Sequence, residues 1–225
     1  MSARMHAGFM VAILALGTTV PGGAQDVAKT QSEPEARANM ARRGAGVNLG
    51  TWSLLDTPSG TGVRTSDSPL LEGYFRKGID KHLALETTVG IWRREIETPA
   101  TGGLGGSPAA TTSAILLPQF TGLKLYPFTT PDDAFEPYVS AGVGFTLGFQ
   151  SGSGGGALGG GGGGSGIIPG VGAGGGVGVE WRFSTAFGLA AGAHYTYIHF
   201  FQDLAGTQMY RGLGVKAGLT YRFQY

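Results

Sequence analysis

The sequence predicts an all-β protein: a closed, eight-stranded, antiparallel up-and-down transmembrane β-barrel behind a cleavable N-terminal signal peptide. Three observations predict it. From Gly44 to the C-terminus apolar residues recur with a period of two, and no stretch shows a helical face. The apolar set is sorted, with large aromatics near strand ends and Leu, Val and Ala between them. Connections alternate between long and short, the layout of a barrel with long outer loops and short periplasmic turns.

The leader comes first. Met1 to Gly8 carries Arg4 and His6, Phe9 to Leu16 is uninterrupted apolar sequence, and Pro21-Gly22-Gly23-Ala24 supplies small residues for cleavage after Ala24. Residues 1–24 therefore read as a signal peptide, residues 25–43 as a polar, solvated periplasmic arm, and residues 44–225 as the barrel domain.

The barrel strands follow in order. The first two span about 45–55 and 69–78, and the third runs from Leu83 to Ile91. The fourth spans about 114–126. Phe135 to Phe149, Val171 to Phe183, Phe187 to Tyr197 and Met209 to Tyr225 complete the set. The last is the clearest. Leu213, Val215, Ala217, Leu219, Tyr221 and Phe223 alternate with Gly212, Gly214, Lys216, Gly218, Thr220 and Arg222. Long connections are expected at 56–68, 95–113, 150–170 and 200–208, and short turns at Gly78 to Lys81, Pro127 to Ala134 and Ser184-Thr185.

Sidedness follows from depth. Phe135, Trp181, Phe183, Phe187, Tyr221, Phe223 and Tyr225 form one girdle, and Phe145, Phe149, Tyr195 and Tyr197 the other. A soluble core has no reason to sort its residues this way, so the apolar face is assigned to lipid and the glycine-and-charge face to the lumen. The inward set carries Glu72, Glu86, Glu136 and Glu180 against Arg76, Lys124, Arg182, Lys216 and Arg222. A narrow lumen forces such charges to pair, because an unpaired buried charge costs several kcal/mol. Glu136 and Arg222 are expected at hydrated rims. Glycines crowd the inward faces of the last four strands. Trp52, Tyr74, Trp92, Phe120 and Tyr126, from the first four, are expected to fill the space above them, leaving small cavities and no open pore.

Three stretches resemble a known family, the small outer-membrane barrel domains of the OmpA/OmpX/OmpW type. They are Leu123-Lys124-Leu125-Tyr126-Pro127, the strand from Pro137-Tyr138 to Gly142-Val143-Gly144, and Gly218-Leu219-Thr220-Tyr221-Arg222-Phe223. The resemblance covers residues 44–225. It implies residence in the bacterial outer membrane and insertion by the outer-membrane assembly machinery. Gly218, Tyr221, Phe223 and Tyr225 would form the assembly signal. Lipids and lipopolysaccharide would be the surrounding partners, with a monomer favoured.

Composition removes other classes. Cysteine is absent, so no disulfide framework, thiolate metal site or cysteine nucleophile exists. Sixteen basic against fifteen acidic residues leave no footprint for nucleic acid. Gly170, Gly172 and Gly175 match G-x-G-x-x-G, but a strand follows where a dinucleotide site needs a helix, so no cofactor is expected. His82, His194 and His199 cannot converge on a metal in this layout. His194-Tyr195-Thr196 resembles the His-x-Ser pair of outer-membrane lipid A deacylases, with threonine in place of serine and both residues turned inward. The expected function is a non-enzymatic outer-membrane barrel with a structural, surface-interaction or small-molecule passage role. Pro118 is either a tolerated irregularity near a strand end or a lateral break. The alternatives are a lipid A-modifying hydrolase and a soluble exported ligand-binding barrel.

Overall fold

The computed structural model describes residues 42–55, 64–65, 68–98, 110–128, 133–153, 167–205 and 207–223. The expected signal peptide, nearly all of the polar arm and Tyr225 lie outside them.

Eight strands build the barrel: β1 (Gly44–Leu54), β2 (Ser68–Gly78), β3 (Leu83–Thr98), β4 (Ala110–Leu125), β5 (Phe135–Ser153), β6 (Ile167–Arg182), β7 (Phe187–Leu204) and β8 (Thr207–Arg222). Each pairs antiparallel with the next. Gly44 to Leu54 pairs with Gly212 to Arg222 and closes the sheet. A two-residue strand, Arg64–Thr65, adds to the outer end of β3.

The strands exceed their expected length at the outer side only. β3 and β4 reach Thr98 and Ala110, and β5 and β6 reach Ser153 and Ile167. The connection expected at 200–208 shrinks to Ala205 and Gly206, with Ala205 at a φ of 49°. Alternation fades there because these hairpin ends have no lipid face to mark, so periodicity alone reads them as loops. The periplasmic turns are short as expected. Asp80 Oδ1 accepts the His82 and Leu83 amides at 2.6 and 2.8 Å, and Ser184 Oγ accepts the Phe187 amide at 2.8 Å.

Through the membrane-spanning stretch of each strand the described even-numbered side chains face the lumen and the odd-numbered ones face outward, and the pattern ends toward the outer hairpins, where Gln150, Gln202 and Gln208 are exposed. Leu213, Val215 and Leu219 are 51%, 60% and 42% exposed. A continuous exposed apolar belt of this kind is a surface that hydrocarbon covers. Its periplasmic margin is aromatic. Phe75 meets Phe223 at 5.9 Å between ring centres, Phe223 meets Tyr221 at 5.6 Å, and Tyr221 meets Phe187 at 5.3 Å. Phe135 and Phe145 are both exposed on β5. At about 3.4 Å per residue and a tilt of about 40°, they stand about 26 Å apart along the membrane normal, close to the height of an outer-membrane apolar band.

Inward glycines are seats for large side chains. A Cβ on Gly178 would lie 2.5 Å from the Tyr138 ring, and one on Gly46 would lie 2.6 Å from Tyr74. Trp52 lies over Gly212, Phe120 over Gly172, and Phe200 with Leu204 over Gly148. Compensation by bulky inward residues is therefore the rule. It draws on β5, β7 and β8 as well as on the first four strands, through Tyr138, Ile198, Phe200, Leu204 and Tyr210.

Overpacking costs about 1–3 kcal/mol. Gly178→Val is expected to lower unfolding stability in detergent by that amount. Gly73→Val, where a Cβ meets nothing within 4 Å, is expected to be neutral. Thermal unfolding followed by heat-modifiable gel mobility checks both.

Candidate functional site

The lumen divides into two chemically different halves. The periplasmic half is ionic. Glu180, on β6, receives the Arg76 guanidinium from β2 and Lys124 Nζ from β4 at 2.7 Å, with Arg222 at 3.6 Å. Lys124 also reaches Glu86 Oε2 at 3.2 Å, and Lys216 reaches Glu72 Oε2 at 2.6 Å. Tyr126 hydroxyl donates to Glu180 at 3.2 Å, and Arg76 donates to Tyr126. Lys124 Nζ sits 3.8 Å from the Tyr138 ring centre. Strand pairing builds this cluster. Arg76 stands opposite Glu86, Glu136 opposite Glu180, and Lys124 opposite Ser140, all on inward positions.

Two expectations need correction here. Glu136 and Arg222 are buried and paired with each other, not hydrated at a rim. Arg182, expected among the lumenal charges, instead donates from Nη2 to the Asp133 carbonyl at 2.7 Å at the exposed periplasmic end.

Sequence reasoning missed Arg42. Assigned to a solvated arm, it is 1% exposed and enters the periplasmic mouth. Its Nη1 lies 3.3 Å from Glu136, its Nε donates to the Lys81 carbonyl at 2.8 Å, and its guanidinium lies 3.7 Å from the Tyr126 ring centre. It precedes β1 by two residues, outside the alternating pattern. The only available signal was a paired Arg42-Arg43 abutting the barrel start.

The outer half is apolar. Trp52, Leu70, Trp92, Leu116, Ile198 and Phe200 form its buried cluster, with Trp52 and Trp92 rings 4.8 Å apart across the lumen. Between the halves lies a cavity of about 80 Å³ walled by Glu72, Glu86, Trp92, Phe120, His194 and Lys216. Ligand sites span about 300–1,000 Å³. A polar void of this size suits a few waters. His194 lies 6.4 Å from Trp92 between ring centres and over Gly214, and neither ring nitrogen has a hydrogen-bond partner among the described residues. Thr196 is buried two residues on, with no hydrogen bond to His194. Among the described residues no group of three His, Cys, Asp or Glu is placed to hold a metal.

Pro118 is not near a strand end. It is an inward, buried residue in mid-β4. The β3–β4 ladder runs to Val89 opposite Gln119 and resumes at Trp92 opposite Leu116. The skipped positions include the one facing Pro118, which has no N–H to give.

A closed eight-stranded barrel with an apolar belt and a filled lumen can be compared with solved structures. OprG from Pseudomonas aeruginosa matches at a TM-score of 0.50 and 14% identity, over 82% of this chain and 98% of that one. Neisserial surface protein A matches at 0.51 and 16%, over 80% of this chain and 96% of that one. This chain has the fold of the small outer-membrane barrels. No family model and no curated protein sequence matches it. The outer-membrane barrel fold thus rests here on strand geometry, at sequence identities too low to carry activity.

Removing one member of a buried ion pair costs about 3–5 kcal/mol, because its partner stays charged and dry. Glu180→Gln leaves Arg76 in that position, while Lys124 keeps Glu86, and is expected to fall in this range. Glu86→Gln is expected to cost less, because Lys124 keeps Glu180. Urea unfolding in detergent, read by tryptophan fluorescence, compares the two.

Proposed function

We propose that this outer-membrane barrel is a sealed, non-catalytic scaffold that holds its outer hairpins at the cell surface. The observation that carries the reading is the double seal of the lumen. The ionic layer closes the periplasmic half, the aromatic cluster closes the outer half, and the cavity between is too small for a substrate. A barrel closed along its axis is no diffusion pore. The extended outer ends of β3 to β8 then carry the exposed surface, which suits a structural or surface-interaction role.

Catalysis on lipid A is disfavoured. A deacylase must present its hydroxyl to a lipid outside the wall, whereas His194 and Thr196 point inward and make no hydrogen bond with each other. Bilayer residence is supported against a soluble exported barrel by the exposed belt, whose apolar residues would otherwise face water. Insertion by the outer-membrane assembly machinery agrees with the alternating Tyr221 and Phe223 after Gly218 at the closing strand. Lipid and lipopolysaccharide surround such a chain, and a monomer suffices because the sheet closes on itself.

A second reading, lateral passage of a small apolar molecule, is favoured by one observation. The ladder interruption at Pro118 borders the cavity, with Trp92 and Phe120 on either side of it. In the present conformation the gap is filled. A Cβ on Gly90 would lie 3.3 Å from the Pro118 ring and 3.2 Å from Glu72.

Planar-bilayer recording tests the primary reading. The full chain is expected to give no steady nanosiemens steps, whereas such steps in the wild type would overturn it. The Trp52→Ala, Trp92→Ala double variant, with the outer seal thinned, is expected to show more frequent brief openings than wild type.

A further inference from the structure

One inward cation stands apart from the ionic layer. Arg94 lies toward the outer end of β3 and is 2% exposed. Its guanidinium carbon is 4.7 Å from the Tyr210 ring centre, and the Tyr210 hydroxyl donates to the Leu204 carbonyl. Ala114 stands opposite it on β4. Trp52, Trp92, Leu116, Phe200 and Leu204 belong to the same outer half. Arg42, Arg76, Lys124, Lys216 and Arg222 all have a carboxylate within 4 Å. Arg94 has none among the described residues, and its Nε and Nη1 have no hydrogen-bond partner.

This is an energetic anomaly. Guanidinium does not lose its proton in proteins, so burial cannot neutralise it. Stacking on Tyr210 recovers about 0.5–2 kcal/mol, less than the several kcal/mol that an unpaired buried charge costs. Two donor nitrogens, with three N–H groups between them, remain to be satisfied. The four inward glutamates, Glu72, Glu86, Glu136 and Glu180, are all committed to the periplasmic half.

We propose that Arg94 is the receptor for the head group of an amphipathic organic anion, a carboxylate on an apolar chain, bound at the outer end of the barrel. A small hydrated anion fits poorly, since aromatic walls offer nothing to replace its water. A carboxylate on an apolar chain satisfies both features. The head forms charge-assisted hydrogen bonds with the guanidinium, and the chain packs against Phe200, Leu204 and the tryptophans. The site needs no transit through the barrel, so it stands whether or not the lumen is sealed.

The tryptophans provide the readout. Trp52 and Trp92 lie in the cluster, and the third, Trp181, faces outward in the periplasmic girdle. The full chain carrying Trp181→Phe is placed in uncharged-detergent micelles at mildly alkaline pH. It is titrated with bromine-tagged undecanoate and, separately, with the matched undecanol. The expected result is saturable quenching by the carboxylate at an affinity at least about tenfold above the alcohol's. Unlabelled decanoate should reverse it, and Arg94→Met should remove the difference. Equal quenching by acid and alcohol, absence of saturable quenching by the acid, or a preference that survives Arg94→Met would overturn the proposal. If Arg94→Met fails to fold, the acid-against-alcohol comparison in the arginine-bearing chain decides alone.

Discussion

A strand in hydrocarbon has no water to satisfy its backbone N–H and C=O groups, so its sheet has to close. Everything else in this molecule follows from closing with only eight strands. The lumen is then barely wide enough for side chains, and each inward position is a decision about volume. Glycine is the answer at many of them. Gly178 and Gly192 lie beneath Tyr138, Gly46 beneath Tyr74, and Gly212 beneath Trp52. The composition, 43 glycines in 225 residues, reflects a packing problem more than a need for turns. Small residues on one strand make room for aromatic ones from another.

The same narrowness explains the ionic layer. Lumenal charges in a wide barrel are solvated by bulk water. Here they are mostly buried, and each must find its partner across the barrel. Glu180 meets cations from three other strands, β2, β4 and β8. Such a cluster ties the barrel together through its interior, where backbone hydrogen bonds run only between neighbours. Arg42 completes it from outside the barrel strands, so the segment just before β1 is fastened to the periplasmic mouth through Glu136 and Tyr126.

Much of this was legible in the sequence, because a half-buried sheet writes its sidedness in the period of its residues. The assignment of even-numbered residues to the lumen rests on nothing more than alternation and depth sorting. It gives Glu72 with Lys216 and Glu180 with Arg76 a common interior before any contact is known. Pairing partners were not legible. Whether Glu136 meets water or Arg222 depends on register and shear, which alternation leaves free. Arg42 was hidden because it precedes the repeating pattern, and Arg182 misled because it keeps the pattern while its guanidinium turns to the Asp133 carbonyl at the exposed end. The outer hairpins were read short for the reciprocal reason. Beyond the bilayer both faces meet a similar medium, and a strand there has no reason to alternate.

The two halves of the lumen also differ in what they can do when disturbed. In the periplasmic half each charge has at least one opposite partner, and Lys124 has two. Losing a contact there leaves a cost that no local rearrangement removes, so this half behaves as a fixed plate. The outer half is held by apolar contacts, which are non-directional and can repack at small expense. It also contains the ladder interruption at Pro118 and the bulge between His199 and Leu204. Motion in this barrel is therefore expected to concentrate toward the outer side, above a rigid ionic floor. An unpaired cation such as Arg94 can be tolerated in that half and not in the other: its surroundings can yield to admit a partner, whereas a sixth cation in the ionic layer would face four glutamates already engaged.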